Sequence, residues 1–466
     1  MSKVQSPSQP IEAVELFIHN LSHEGRGVAL YDEHPSHDVT KRGKKVFVRY
    51  ALAGETVAAK ITRVHKRFEE ADALEVLANP SPHRVVPVCA HFGQCGGCVM
   101  QHIQPIEQIN FKQKVVASHL QHFANLVPDE WLPAMSSERA DYRRRVRLGL
   151  RYHAQAKRWV LGFRAAKSNH LINIDHCAIL DQRFSQELPA LKQCLTALKR
   201  AKVITHIELV AGDEELALVV RHVEKLAASD VEDLLSFVKK RMWQLYLQPN
   251  CDQSLTRVDT KNATMRLHYR LAEFDLRLAF SPLDFTQVNA AVNQKMVHLA
   301  CQLLDLKLGE RVLDLFCGLG NFSLPLAKCV GPTGQVVAVE GVLDMVQRGQ
   351  ENARANQIEN VAFHCQNLMQ DFSDQIWAQQ GFDAILIDPP RAGAEQVMHY
   401  LAKFAASRIV YVSCDPATLA RDAGILSQNG YRLLKVGVMD MFSHTEHVES
   451  IALFERVQVP VVDEIK

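Results

Sequence analysis

The sequence predicts an α/β protein in three parts: a small N-terminal β-barrel, a central α+β region and a C-terminal doubly wound parallel sheet. Three observations carry that reading. The 466 residues exceed what one domain ordinarily holds. Toward the C-terminus, short apolar, β-branched runs alternate with helix-length segments, whereas the N-terminal part shows short β-rich runs broken by glycines. The composition, 47% hydrophobic and 23% charged, is that of ordinary globular protein, so each part can bury a core.

In chain order, residues 1–10 read as a disordered tail. The opening MSKVQSPSQPIEAVE lacks the apolar stretch of a secretory signal, and no run approaches the roughly 18 apolar residues of a membrane span. A cytoplasmic protein is expected, with no membrane association. From Ala13 to about Val76, runs such as KVFVRYAL and TVAAKITRV are strand-like, with turn signals at Gly25–Gly27, Gly43 and Gly54. A barrel of this size is often used to hold single-stranded or looped RNA. NPSPH (79–83) reads as a linker, followed by a cysteine-bearing loop from Cys89 to Cys98. Residues 106–123 have helical periodicity, and a mixed region extends to about Phe280. The expected parts are 12–78, 79–284 and 285–466, with residues from about 101 to 134 packing on the last.

Net charge is +1, so composition does not announce a nucleic-acid binder. Charge is unevenly placed, however. KRGKKVFVR (41–49), RVHKRF (63–68) and YRRRVRLGLRY (142–152) are basic. Any one of them equally suits a solvated face, but three interleaved with Tyr, Phe and His fit an RNA path better.

In the C-terminal part RVLDLFC, QVVAVE, VAFHCQ, FDAILID and RIVYVSC are the strands, and the segments between them are helix-length. Ligands of such sheets bind at the C-terminal strand ends. The first strand ends Asp314-Leu-Phe-Cys-Gly-Leu-Gly-Asn-Phe322, where Gly318 and Gly320 allow a tight turn beneath a ligand. Ser323 stands where a dinucleotide fingerprint has its third glycine, which disfavours a nicotinamide enzyme. The second strand closes on Glu340, suited to a ribose hydroxyl pair, and the third is followed by Asn367, suited to an adenine edge. Acid, glycine loop, second acid and Asn at successive strand ends form the layout of an S-adenosylmethionine site.

The fourth strand ends Asp388-Pro389-Pro390-Arg391. An Asp-Pro-Pro followed by an aromatic would suit methylation of an exocyclic nitrogen; Arg391 argues against it. The fifth ends Ser413-Cys414-Asp415-Pro416. A cysteine at a strand end just before a helix is where a thiolate can be stabilised, although a packed core thiol is the commoner fate. C5 of uracil is a poor nucleophile, and a thiolate adding to C6 would activate it. A base must then remove the C5 proton. Glu449, in HTEHVES before the strand-like ESIALFER, is the candidate.

Eleven cysteines, irregularly spaced and odd in number, argue against a disulfide framework in a long cytosolic chain. Cys89, Cys95 and Cys98 form C-x5-C-G-G-C, and Cys177 stands farther along. Four thiols can enclose a structural zinc or a four-iron cluster, and spacing alone does not choose. A radical-dependent RNA methylthiotransferase would need C-x3-C-x2-C, which is absent.

Taken together, the motifs resemble the bacterial RNA uridine-5-methyltransferases over essentially the whole chain. LFIHNLSHEGRGVALYD…VFVRYALAGETVAAKI is similar to a TRAM domain, an OB-like RNA-binding barrel. CAHFGQCGGCVMQH with Cys177 resembles the family's four-iron, four-sulfur site. FTQVNAAVNQKM, DLFCGLGNFSLPLA, DPPRAGA, VSCDPATLARD and HTEHVES resemble its catalytic motifs in order. The resemblance implies a Rossmann-like S-adenosylmethionine-dependent methyltransferase domain, with cofactor contacts from Gln287, Phe316, Asn321, Glu340, Asn367 and Asp388. It also implies Cys414 as nucleophile, Glu449 as base, and a [4Fe–4S] cluster held by Cys89, Cys95, Cys98 and Cys177, with zinc as the alternative. Carrying both barrel and cysteines favours a 23S ribosomal RNA loop as substrate; no obligatory protein partner is expected. Asp415 departs from the Asn more usual there, and its charge is expected to raise the thiol pKa.

Overall fold

The computed structural model describes residues 13–31, 39–249, 254–260 and 266–457. The tail expected at 1–10 lies outside them, as do residue 12 and residues 458–466 of the expected parts. Two compact units are present. The first comprises residues 1–111 with 165–168 and 444–446; the second comprises the remainder.

In the first unit the strands are β1 (Val14–Phe17), β2 (Asn20–Leu21), β3 (Gly27–Leu30), β4 (Lys45–Arg49), β5 (Thr56–Val64) and β6 (Phe68–Ala78). Their order is β1-β5-β6-β4-β3-β2. Because β1 and β2 are successive parts of one segment, this order is a closed barrel. Ile18 N–H donates to Glu55 O (2.9 Å) and His19 N–H to Val28 O (2.9 Å), carrying the seam from β5 to β3. Period-two alternation turns Leu16, Ala29, Val46, Val48, Val57 and Ala59 inward, all fully buried. Closure removes the unpaired edges an open sheet would expose.

The second unit holds two large sheets and a hairpin. Glu130–Trp131 (β7) belongs to the larger sheet. A seven-stranded sheet is built from β8 (Arg145–His153), β9 (Arg158–Arg164), β10 (Leu171–Asn173), β11 (Ile204–Ala211), β12 (Leu216–His222), β13 (Gln244–Pro249) and β14 (Thr256–Arg257). Its order is β10-β9-β8-β11-β12-β13-β14. Alternation along β8 buries Val146, Leu148 and Leu150 and turns its arginines to the other face. There Arg145 and Arg147 both pair with Glu208 of β11, at 2.8 Å and 2.6 Å. The hairpin is β15 (Leu267–Leu271) with β16 (Leu276–Phe280).

The larger sheet adds β17 (Arg311–Leu315), β18 (Gln335–Glu340), β19 (Val361–Cys365), β20 (Ala384–Ile387), β21 (Arg408–Ser413), β22 (Tyr431–Met439) and β23 (Glu449–Arg456). Its order is β19-β18-β17-β20-β21-β23-β22-β7. The first five strands are parallel, and β23 inserts antiparallel between β21 and β22. Helices cover both faces, so β20 and the middles of β17 and β21 are mostly apolar rather than alternating, with Leu313, Ile385 and Val410 fully buried. Strand order reverses between β17 and β20, and the cleft at that switch point receives the ligand in sheets of this kind. Among the described residues, no helix is long and apolar enough to cross a membrane.

Candidate active site

After β17 the chain turns sharply into the helix Ser323–Val330. Phe316, Gly318 and Gly320 have φ of 62°, 55° and 96°. Gly320 needs the freedom, because a Cβ there would lie 3.3 Å from Leu324 and 3.4 Å from Phe363. Glu340, at the end of neighbouring β18, is aimed at this loop. Its carboxylate accepts from Gly318 N–H (3.2 Å) and Val342 N–H (2.9 Å).

Beneath the loop Asp314 is fully buried. Burial pushes its carboxyl up to about 8, against a 2.5 Å hydrogen bond from Ser323 Oγ and with repulsion from Asp388 and Glu340. Its Oδ1 has no partner among the described residues. A buried carboxylate oxygen left unmatched fits a ligand with a donor group in the cleft. Ser323 thus does more than break a dinucleotide fingerprint: it fixes Asp314.

The other candidate cofactor residues surround this loop. Asp388 follows β20, beside Phe316 across the ladder, and burial raises its carboxyl to about 7. Asn321 closes the loop and is held by Tyr269 and Asn293. Asn367, exposed beyond β19, accepts from Met369 N–H (3.0 Å). Gln287 precedes the helix Ala290–Leu304; its neighbour Val288 accepts from Arg144 N–H (2.9 Å), which fixes that segment.

Cys414 and Glu449 meet on the same edge. Ser413 of β21 pairs with Ser450 of β23, so the antiparallel register carried one residue further sets Cys414 opposite Glu449. Directly opposed residues have Cβ atoms about 5 Å apart. The thiol is pushed up to about 12 by burial, then by the Glu449 and Asp388 carboxylates, with Arg391 opposing and Asp415 adding least. Glu449 is raised to about 8, chiefly by burial and then by Asp388, while Arg391 and Lys112 pull it down.

The strand-end position therefore does not stabilise a thiolate by itself, contrary to the sequence expectation. The start of the helix Pro416–Gln428 is already capped: Asp415 Oδ1 accepts from Ala417 N–H (3.0 Å) and Thr418 N–H (3.1 Å). Sequence reasoning used Arg391 only to exclude another chemistry. Here Arg391 Nη2 lies 3.3 Å from His447 Nδ1, and His447 stands edge-on to Phe442.

This electrostatic arrangement predicts a labelling behaviour. Iodoacetamide should modify Cys414 slowly at pH 7, with the rate rising about tenfold per pH unit through pH 9, because only the thiolate reacts. Glu449→Gln removes that like charge and should speed labelling several-fold at pH 9, where the parent's carboxyl is ionised. Peptide mass spectrometry follows the site; equal rates in both proteins would show that the carboxylate does not act on the thiol.

In the first unit, Cys89, Cys95 and Cys98 are half-buried on a loop. Gln101 Oε1 accepts from Cys89 N–H (3.0 Å), Cys95 N–H donates to His91 O (2.9 Å), and Gly97 N–H lies 3.4 Å from Cys95 Sγ. Tyr50 and Phe92 pack edge to face over this loop. Cys177, in the second unit, is fixed by Ser185 Oγ, which accepts from its N–H (2.9 Å) and donates to its carbonyl (3.0 Å). The donor set suits a soft metal centre. Among the described residues, however, no group of three or more His, Cys, Asp or Glu side chains is gathered to hold a metal ion.

Comparison with known proteins agrees with this geometry. The sequence matches the family described as tRNA (Uracil-5-)-methyltransferase over residues 104–457 and the TRAM domain over residues 7–74. It is 61% identical to the 23S rRNA (uracil(1939)-C(5))-methyltransferase RlmD of Acinetobacter baylyi, over 95% of both chains. It is 58% identical to the protein of the same name from Acinetobacter baumannii strain AB0057, over 98% of both. The fold is that of the Pyrococcus abyssi tRNA (uracil-54, C5)-methyltransferase solved with S-adenosyl-L-homocysteine. That TM-score is 0.69 at 23% identity, covering 95% of this chain and 100% of the other. The chain belongs to the tRNA (Uracil-5-)-methyltransferase family.

Proposed function

We propose that this protein methylates C5 of a specific uridine in 23S ribosomal RNA, the position numbered 1939 in its relatives' names, giving 5-methyluridine. The observation that carries the chemistry is Cys414 opposite Glu449 at the ligand-binding edge of the sheet. Ribosomal RNA as substrate sets its place of action in the cytoplasm. Residues 12–78 act as the RNA-binding barrel, 79–284 as the cysteine-bearing, RNA-contacting part and 285–466 as the methyltransferase part.

S-adenosylmethionine, when bound, supplies the methyl group as an electrophilic carbon on sulfonium. Glu340 takes the ribose hydroxyls, Asn367 the adenine edge, and Gln287, Phe316, Asn321 and Asp388 complete the cradle. The RNA loop is held by the barrel and the basic strand β8, and the target base is flipped out to reach the thiol. The Cys414 thiol gives its proton to solvent and its sulfur bonds to C6. The C5–C6 π electrons become an enolate, and C5 takes the methyl as the methyl–sulfonium bond breaks with its electron pair staying on sulfur. Glu449 then removes the C5 proton. Those electrons rebuild the double bond as the Cys414–C6 bond breaks. A carboxylate with a raised pKa is a stronger base once deprotonated, which suits that step.

The test is methyl transfer from labelled S-adenosylmethionine to unmodified 23S rRNA and, separately, unmodified tRNA, with the product mapped by nuclease digestion. 5-Methyluridine in 23S rRNA alone is expected. Label in tRNA would keep the chemistry and move the substrate; label in neither would end the enzymatic reading.

A [4Fe–4S] cluster on Cys89, Cys95, Cys98 and Cys177 belongs to the same reading, with zinc as the alternative. The C-x5-C-G-G-C spacing and the Gly97 N–H at Cys95 Sγ support it for the first three; the family motif alone adds Cys177. Its role is structural, and no step of the reaction runs through it. Iron and labile sulfide, rather than zinc, are expected in protein purified without oxygen.

A further inference from the structure

We propose that the hairpin β15–β16 sets the affinity for the methyl donor, with Tyr269 as a positioning residue that acts through Asn321. The inference rests on the donor site assigned above. Asn321 Oδ1 accepts from Tyr269 Oη (2.8 Å) and Asn293 Nδ2 (3.0 Å), and Asn321 Nδ2 donates to Asn293 Oδ1 (2.9 Å). A primary amide has two acceptor lone pairs and two N–H bonds. Three of these four are taken, so the amide is fixed in one orientation and a single N–H remains to face the donor.

A second, separate connection joins the other strand of the hairpin to the same loop. Asn352, almost fully buried on the helix Leu343–Ala355, accepts from Ala279 N–H (2.8 Å) and donates to Ala279 O (3.1 Å) and Leu319 O (3.1 Å). Leu319 lies between the two glycines of positive φ. Both strands therefore grip a loop that its glycines would otherwise leave free to move.

The hairpin is itself anchored on its far side. Asp213 N–H donates to His268 O (2.8 Å), and Arg270 N–H donates to Asp213 Oδ2 (2.8 Å). His268 Nδ1 lies 2.7 Å from Glu215 Oε1. Alternation along β15 thus sends His268 and Arg270 toward the β11–β12 turn and Tyr269 toward the glycine loop. Burial keeps the Tyr269 phenol protonated, as a donor must be, by raising its pKa well above the ordinary value.

The test is calorimetric binding of S-adenosyl-L-homocysteine to the full chain and to Tyr269→Phe, which keeps the ring and removes only the hydroxyl. One buried hydrogen bond predicts a Kd about two- to tenfold weaker. RNA affinity should be unchanged and kcat at saturating donor within about twofold, so that the loss falls on KM for the donor. Asn352→Ala, on a separate helix, should weaken the same Kd without altering RNA affinity. An unchanged Kd in folded Tyr269→Phe, or a fall in kcat with Kd unchanged, would overturn the inference. Failure of the parent protein to bind would overturn the donor site itself, and is told apart by the parent measurement alone.

Discussion

Replacing Cys414 by alanine is expected to abolish methyl transfer, by about 10⁴-fold or more, while RNA and S-adenosyl-L-homocysteine still bind within about twofold of the parent. The size follows from the chemistry. Without a nucleophile at C6, C5 has no enolate to attack with. The binding surfaces should survive, because Cys414 is half-buried and its thiol supports neither the Asp415 cap nor the Ser413–Ser450 pairing. Measurement needs two readouts: label transferred to 23S rRNA, and the two binding constants. Methylation persisting within tenfold of the parent would remove Cys414 from the mechanism.

Glu449→Gln is expected to stop the cycle later, and to reveal itself by what accumulates. Turnover should fall by about 10² to 10⁴, the range a positioned base supplies. Attack at C6 should not fall: above pH 8, where Glu449 is ionised, losing its charge lowers the Cys414 pKa, and below that pH a neutral amide replaces a neutral acid. Both effects push toward the same species, a methylated RNA joined to the protein through sulfur. A denaturing gel should show a slow-migrating protein–RNA band carrying the labelled methyl group. Normal turnover, or arrest without that band, would assign the base elsewhere.

The parts legible in the sequence are those whose environment leaves a local trace. Strands β17, β18, β20 and β21 are buried on both faces over most of their length, so Leu313, Ile385 and Val410 sit in short apolar runs that read as strands without any partner in view. The glycine loop, Asp388 and Cys414 fall at the ends of those runs, which drew attention to the right edge of the sheet. The two-residue β7 has no periodicity to detect and exists only through pairing with β22. Tyr269 and Asn293 are single polar residues in ordinary stretches, joined to Asn321 across 52 and 28 positions. The thiol is only partly legible for a related reason. Its pKa depends first on burial and then on Glu449, Asp388 and Arg391 converging in space, whereas the chain shows only a cysteine beside Asp415 at the start of a helix.

The seam of the N-terminal barrel has a consequence for biosynthesis. Val14 pairs with Ala59, which the ribosome makes 45 residues later, while Asn20 in the same segment pairs with nearby Val28. As the chain emerges, the β2–β3 hairpin can zip at once, but β1 must wait for β5 with its polar backbone paired only to water. Closing that long loop costs entropy before any contact repays it. The barrel thus completes late and in one step, and until then the growing chain carries an open strand edge of the kind that chaperones cover.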